Sequence, residues 1–325
     1  MRVLVTGATG YVGSRLVPAL LRAGHDVVAA ARDPQRLDGF AWGDQVERVY
    51  LDVEDTVSVH LAVRRADAVV YLVHSMGAGE FVKRDREGAE SVVAACSYAG
   101  TDRVVYLSGL VPDEPRDRLS DHLSSRLDVE EVLLEGPTPA TVLRASMVIG
   151  GGSMSFEVLR RVSERLPVAT IPRWMDSRIQ PVAVEDVVRL LVAALEGEPR
   201  NRAYDVGGDE VLTYRELIAR FTEIAGLHRP QVPIPVAPAP LVGEAVGLLT
   251  GVPRATVKAL VKSLTHDMVC LEDDVRRDLD PGTPYLSLDE AVRRSLAGDT
   301  AATSIDGDVQ GQAASDPAWV GSTLA

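Results

Sequence analysis

The sequence predicts an α/β fold: a doubly wound parallel sheet with a smaller, mostly helical C-terminal region. Three observations carry that expectation. Short, near-continuous apolar runs alternate with helix-period segments through the first two hundred residues. The first run opens directly into a glycine-rich turn and then a helix. After Gly150 the alternation loosens and helix-period segments dominate. Strands that are apolar on both faces, separated by amphipathic helices, require a parallel sheet covered on both sides.

Taken in order, Val3-Leu4-Val5 is the first strand, and the helix after the glycine turn sets Val12, Leu16, Val17, Leu20 and Leu21 on one face before Gly24 ends it. Further strands are expected at Val27–Ala31, Val46–Leu51, Ala68–Val73, Arg103–Leu107 and Thr141–Ser146, with helices near Val57–Arg64, Phe81–Tyr98 and Leu119–Leu134. Beyond them, Phe156–Leu166 and Val184–Leu195 read as helices and Ile179–Val184 as extended. Thr213 followed by Glu216 makes a capping box for a helix to about Ala225. Pro230–Pro240 is too proline-rich for regular structure, and short helices are expected at Leu241–Leu249, Arg254–Leu264 and Leu288–Leu296. The expected division is 1–206 for the sheet domain, 207–297 for the smaller region with 151–177 contributing, and 298–325 as a disordered tail.

With 46% hydrophobic and 25% charged residues over 325 positions, the chain has ample material for a core. Its net charge of −13 argues against nucleic acid and against an anionic membrane surface as partners. Four aspartates and no base follow Arg294, so the tail carries a share of that acidity. Cys96 and Cys270 are too few and too far apart for a disulfide framework or a cysteine zinc site, and no metal is expected. Glycines interrupt the apolar N-terminus, and prolines and glycines interrupt the weakly charged stretch 231–252, so neither a signal peptide nor a transmembrane segment is expected. A cytoplasmic monomer or homodimer is the expectation.

Thr6-Gly7-Ala8-Thr9-Gly10-Tyr11-Val12-Gly13 stands between the first strand and the first helix. Gly7 permits the tight turn, Gly10 lets backbone approach a pyrophosphate, and Gly13 allows close helix–strand packing. Thr9, Tyr11 and Val12 complete a helix N-terminus that offers N–H groups to an anion. This is a Rossmann-like dinucleotide loop in its required context. A carboxylate at the end of the second strand would mark NAD; here Ala31 is followed by Arg32 and Asp33. A guanidinium suits a 2′-phosphate, so NADP(H) is expected, NADPH preferred over NADH. Two alternatives stay open: a solvated Arg32 paired with Asp33, and Asp33 reaching the ribose itself.

These motifs resemble the short-chain dehydrogenase/reductase superfamily in its extended and atypical, NmrA-like branches. TGATGYVG has that spacing, and Ala31-Arg32-Asp33-Pro34 is similar to the NADP-type second strand of the group. Leu51-Asp52-Val53 matches a segment that contacts adenine there. Tyr71-Leu72-Val73-His74-Ser75-Met76 falls where relatives line the nicotinamide-ribose side, so the resemblance implies cofactor contacts for Asp52, Val53 and His74. Val104 to Leu110 resembles the fifth strand, whose terminal serine, here Ser108, helps hold a substrate carbonyl. Gln180–Val187, Tyr204–Gly208 and Leu212–Glu216 are similar to C-terminal landmarks of the extended branch. Ser315–Ser322 resembles a linker that leads some longer relatives into a further domain.

The departure lies at the catalytic pair. The superfamily's Tyr-x-x-x-Lys becomes His122 and Arg126, still at i and i+4 on one helix. Arg126 can bind ribose hydroxyls but cannot exchange a proton near neutral pH. His122 can, between pH 5 and 8 in an ordinary environment. His122, Ser108 and Arg126 are therefore the candidate catalytic set. Against it, Arg126 and Glu130 at i, i+4 would equally form a surface ion pair, with His122 simply exposed. Met147, Met154, Phe156, Trp174, Met175 and the apolar run from Val232 to Leu249 either build a second core or line a cleft for a small hydrophobic substrate, with Arg144 and Arg178 facing it or held in ion pairs. Two functional classes follow. One is an NADPH-dependent reductase of a carbonyl or activated alkene. The other is a non-catalytic NADP(H)-binding redox sensor or assembly subunit.

Overall fold

The computed structural model describes residues 1–74, 81–234, 244, 246–247, 265–298, 300–317 and 319–321. Its centre is a seven-stranded parallel sheet. The strands are β1 (Arg2–Val5), β2 (Asp26–Ala31), β3 (Glu47–Tyr50), β4 (Ala68–Tyr71), β5 (Arg103–Gly109), β6 (Ala140–Ala145) and β11 (Arg202–Val206). Their order is β11-β6-β5-β4-β1-β2-β3, every pair parallel. The six strands read from apolar runs form as expected. The seventh, β11, escaped because Arg202 and Asp205 break its apolar run.

Helices α1 (Tyr11–Arg22) and α6 (Val184–Glu196) cover one face through Leu16, Leu20, Val187 and Leu191. On the other lie α2 (Thr56–Val63), α3 (Phe81–Ala99) and α4 (Asp121–Glu135), burying Val59, Val92 and Val129. The strand order reverses between β1 and β4, so a crevice opens at their C-terminal ends. Ser120 caps α4 by accepting from the Leu123 N–H at 3.3 Å, which fixes where the helix starts and so where residues 122 and 126 sit.

Short two-stranded pairings follow: β7 (Val148–Ile149) with β10 (Val182–Ala183), β9 (Arg178–Ile179) with β12 (Leu212–Thr213), and β8 (Ala169–Pro172) with β13 (Gln231–Ile234). The last corrects the expectation that Pro230–Pro240 holds no regular structure; Pro233 is tolerated because a two-stranded sheet has only edges. A third core joins Phe156 of α5 (Met154–Arg165), Phe221 of α7 (Tyr214–Ile224) and Val292 of α9 (Leu288–Leu296), and Met147 and Met175 pack against it. The capping box is present, with Thr213 and Glu216 bonded reciprocally at 3.2 and 2.7 Å. α8 (Asp274–Asp278) packs beside β11. The helices expected at 241–249 and 254–264 fall outside the described residues, apart from 244, 246 and 247. Among the described residues no helix is long and apolar enough to cross a membrane.

The expected disordered tail is corrected. Residues 300–317 pack on α1 and α9, and Ala302, Gln310 and Ala313 are buried. The segment is poor in large apolar groups, which is why composition alone reads it as disordered. Polar bonds hold it instead: the Gln310 amide donates to the Ile149 carbonyl at 2.7 Å, and Arg294 bonds Asp308.

Candidate functional site

The glycine loop leaves β1 at the crevice. Thr6 N–H donates to the Val70 carbonyl at 3.0 Å, and its hydroxyl accepts from Leu72 N–H at 3.1 Å, tying the loop to the end of β4. Ala8 N–H donates to Ala30, tying it to β2. Gly7 adopts φ +68°, a left-handed conformation that any side chain would strain. A Cβ on Gly13 would collide with the Gly7 carbonyl oxygen. The loop therefore folds flat against its own helix, and α1 begins at Tyr11 with no side-chain cap on Gly10. First-turn N–H groups of α1 have no partner inside the helix and face the crevice, where an anion would satisfy them.

Arg32 follows β2 and is exposed, with no carboxylate within 4 Å among the described residues. Asp33 does not pair with it. Its carboxylate caps the next turn by accepting from Gln35 N–H at 3.1 Å. Asp52, after β3, likewise spends its carboxylate on Glu54 N–H at 3.1 Å, while Val53 packs toward Gly88 of α3.

Across the crevice, the structure gathers His74, His122 and Arg126 at the ends of β4 and β5. The two imidazole rings stand edge to face, 6.2 Å between centroids. Arg126 Nε donates to His122 Nε2 at 3.3 Å, and its Nη1 donates to the Leu107 carbonyl at 3.4 Å. Gly109 makes room for this, since the Arg126 side chain lies directly over its Cα. Because Nε2 accepts, the His122 hydrogen sits on Nδ1. Burial first, then the Arg126 charge, hold the His122 pKa at about 4. The expected proton exchange between pH 5 and 8 is therefore corrected: this imidazole is neutral throughout that range. His74 is held well below the ordinary histidine value, by the Arg126 charge, by burial and by the His122 ring. His74 keeps solvent access, so the charge of Arg126 is the dominant cause. Ser75 and Met76 lie outside the described residues.

The ion-pair alternative for Arg126 is not what forms. Glu130 turns instead to Arg144, whose Nε donates to its two oxygens at 2.9 and 3.2 Å, with Asp205 at 3.7 Å behind. Arg126 has no carboxylate within 4 Å among the described residues. Arg144 and Arg178 are thus held in ion pairs, Arg178 bonded by Asp267 at 2.9 Å. Ser108 is buried at the end of β5 and its hydroxyl has no well-formed hydrogen bond, nor has that of Tyr106 two residues before. Burial raises the Tyr106 pKa, with the Arg126 charge and the Ser108 hydroxyl opposing.

Three features were not read from sequence. Tyr106 lies within the apolar run of β5, and the run itself does not show what its hydroxyl meets. Asp85 of α3 is buried and accepts from Ser125 Oγ of α4 at 3.0 Å; its place on one turn with Gly88 was the available signal. Arg15 of α1 is fully buried, a position beside the apolar stripe that the periodicity should have flagged.

With this geometry in view, residues 7–161 match a family model described as NAD(P)H-binding. A (4-alkanoyl-5-oxo-2,5-dihydrofuran-3-yl)methyl phosphate reductase of Streptomyces griseus is 31% identical over 232 residues, covering 69% of this chain and 74% of that protein. This chain belongs to the NAD(P)-binding, NmrA-like atypical branch of the short-chain dehydrogenase/reductase superfamily. An uncharacterised Mycobacterium tuberculosis protein is 29% identical over 240 residues, 72% of this chain. The chain spans only about a quarter of that relative, 24% of its length. Citrobacter triphenylmethane reductase, solved in complex with NADP(H), superposes with a TM-score of 0.72 at 19% identity over 91% of this chain and all of that one, a likeness of fold. The family is one of NAD(P)-binding oxidoreductases.

Proposed function

We propose that the protein is an NADPH-dependent reductase that transfers hydride to a carbonyl or an activated alkene of a small hydrophobic molecule. One observation carries the reading: the glycine loop and the His74–His122–Arg126 cluster flank the same crevice, at the C-terminal ends of β1, β4 and β5. The cradle fits a dinucleotide, since the Gly7–Gly13 contact leaves the first turn of α1 open to a pyrophosphate. Exposed Arg32, unpaired with Asp33, leaves its guanidinium available to a 2′-phosphate, which supports NADPH over NADH. Named activity of the Streptomyces relative, a reductase, agrees with the reaction class.

When bound, the cofactor supplies hydride. The chain's own residues do the rest. Arg126 holds His122 through Nε and keeps an N–H face for ribose hydroxyls. His122, neutral, presents Nδ1–H as a hydrogen-bond donor to the acceptor oxygen, polarising it without first carrying a positive charge. Ser108 Oγ, buried beside the Tyr106 hydroxyl with no well-formed hydrogen bond, supplies a second donor to that oxygen. The proton that completes the product then comes from water. Turnover of NADPH against a panel of hydrophobic enones, quinones and aldehydes tests the proposal. His122→Asn should lower turnover about a hundredfold with little change in NADPH affinity. NADPH binding without oxidation across the panel would support the non-catalytic reading instead.

A further inference from the structure

Arg15 is an arginine with no solvent access in the middle of α1, and its surroundings come from the far end of the chain. Its Nε donates to the Val309 carbonyl at 3.2 Å. Its Nη2 donates to Gly151 and Gly311 carbonyls at 2.7 and 3.0 Å and pairs with Asp316 at 3.2 Å. Its Nη1 reaches back one turn to the Tyr11 carbonyl at 3.1 Å, and the guanidinium lies 4.1 Å over the Tyr11 ring. Tyr11 is the first residue of α1, and its hydroxyl is packed against Gly150, where a Cβ would collide with it.

The consequence is mechanical. α1 begins with no side-chain cap, so the placement of its first turn depends on what stands behind Tyr11. That support is the Arg15 guanidinium, and the guanidinium is held by the strap. The strap, residues 300–317, has anchors other than Arg15: Gly151 N–H to the Gln310 carbonyl at 2.9 Å, the Gln310 amide to Ile149 at 2.7 Å, and Arg294 to Asp308 at 2.9 Å. A buried guanidinium deprived of these acceptors would have to turn toward water, taking its hold on Tyr11 with it.

We propose that Arg15 is a positioning residue for the dinucleotide loop and that residues 300–317 are the strap that holds it, so that strap docking and pyrophosphate binding favour each other. The inference rests on the NADP(H) reading of the loop. By linkage, whatever factor the strap adds to dinucleotide affinity, bound dinucleotide must add to strap docking.

Two ligands separate the effect from general loosening. NADPH carries a pyrophosphate, whereas adenosine 2′,5′-bisphosphate lacks one and keeps the 2′-phosphate for Arg32. In the full chain, Arg15→Gln should weaken NADPH about tenfold and adenosine 2′,5′-bisphosphate less than twofold, with Arg15→Lys between Gln and the natural residue. Amide exchange needs no variant: saturating NADPH should slow exchange at Gly311, Ala313 and Asp316 by a similar factor. Equal losses for the two ligands, or strap exchange unchanged by NADPH, would overturn the proposal while leaving the NADP(H) reading intact. Failure of the natural chain to bind either ligand would overturn both. Should the variants not fold, the exchange measurement decides alone.

Discussion

The neutral state of His122 can be tested by acid. In an unfolded chain its imidazole takes a proton near pH 6.5; in the folded chain burial and Arg126 delay that to about pH 4. A basic group with a depressed folded pKa binds protons more readily when unfolded. Its contribution therefore costs nothing above pH 6.5 and destabilises the fold progressively as pH falls toward 4. Integrated between those values, the penalty is about 3 kcal/mol, an upper figure because the ring is not fully buried. The groups facing it are Arg126 on its own helix and His74 at the end of β4. Many carboxylates also titrate in acid, so the comparison must be a difference. Urea unfolding of the natural chain and of His122→Asn, at half-unit steps from pH 7.5 to 4, gives it. The natural chain should lose up to about 3 kcal/mol more than the variant across that range. Parallel curves would refute the burial of a neutral imidazole, and with it the donor role assigned to Nδ1–H.

Other consequences follow from the same geometry. Because His122 stays neutral between pH 5.5 and 8, turnover should be flat there; a tenfold fall per unit above pH 6.5 would restore an imidazolium acid. Arg32→Ala should weaken NADPH by about tenfold to a hundredfold, the range of charge-assisted hydrogen bonds, and NADH by less than twofold; equal losses in a fluorescence titration would remove the 2′-phosphate role. Gly13→Val should abolish dinucleotide binding in calorimetry, since its side chain would occupy the Gly7 carbonyl. Glu130→Gln strips Arg144 of its buried carboxylate and should cost about 3 kcal/mol or more in urea unfolding, with NADPH affinity unchanged.

The dinucleotide half of the molecule was legible because its signals are local. The strands at the centre of the sheet are nearly continuous buried apolar runs, and a glycine loop states its own geometry through Gly7 and Gly13. The pairing of His122 with Arg126 was visible as helical spacing. What spacing could not carry was environment. A histidine's charge depends on burial, and which carboxylate takes an arginine depends on the neighbouring strand: Glu130 faces Arg144 across from β6, and that leaves Arg126 to His122. The strap was missed for the same reason. Residues 300–317 are small and polar, and their stability comes from acceptors supplied to Arg15 and Arg294, nearly three hundred positions away in the first case. A composition argument counts apolar side chains and so reads such a segment as unstructured.

One measurement tests the central claim most directly: equilibrium titration of the full chain with NADPH and with NADH, followed by cofactor fluorescence. The account predicts saturable binding of NADPH, at least tenfold tighter than NADH, with the difference abolished by Arg32→Ala. Absence of binding by either dinucleotide, or equal affinity for the two, would contradict it.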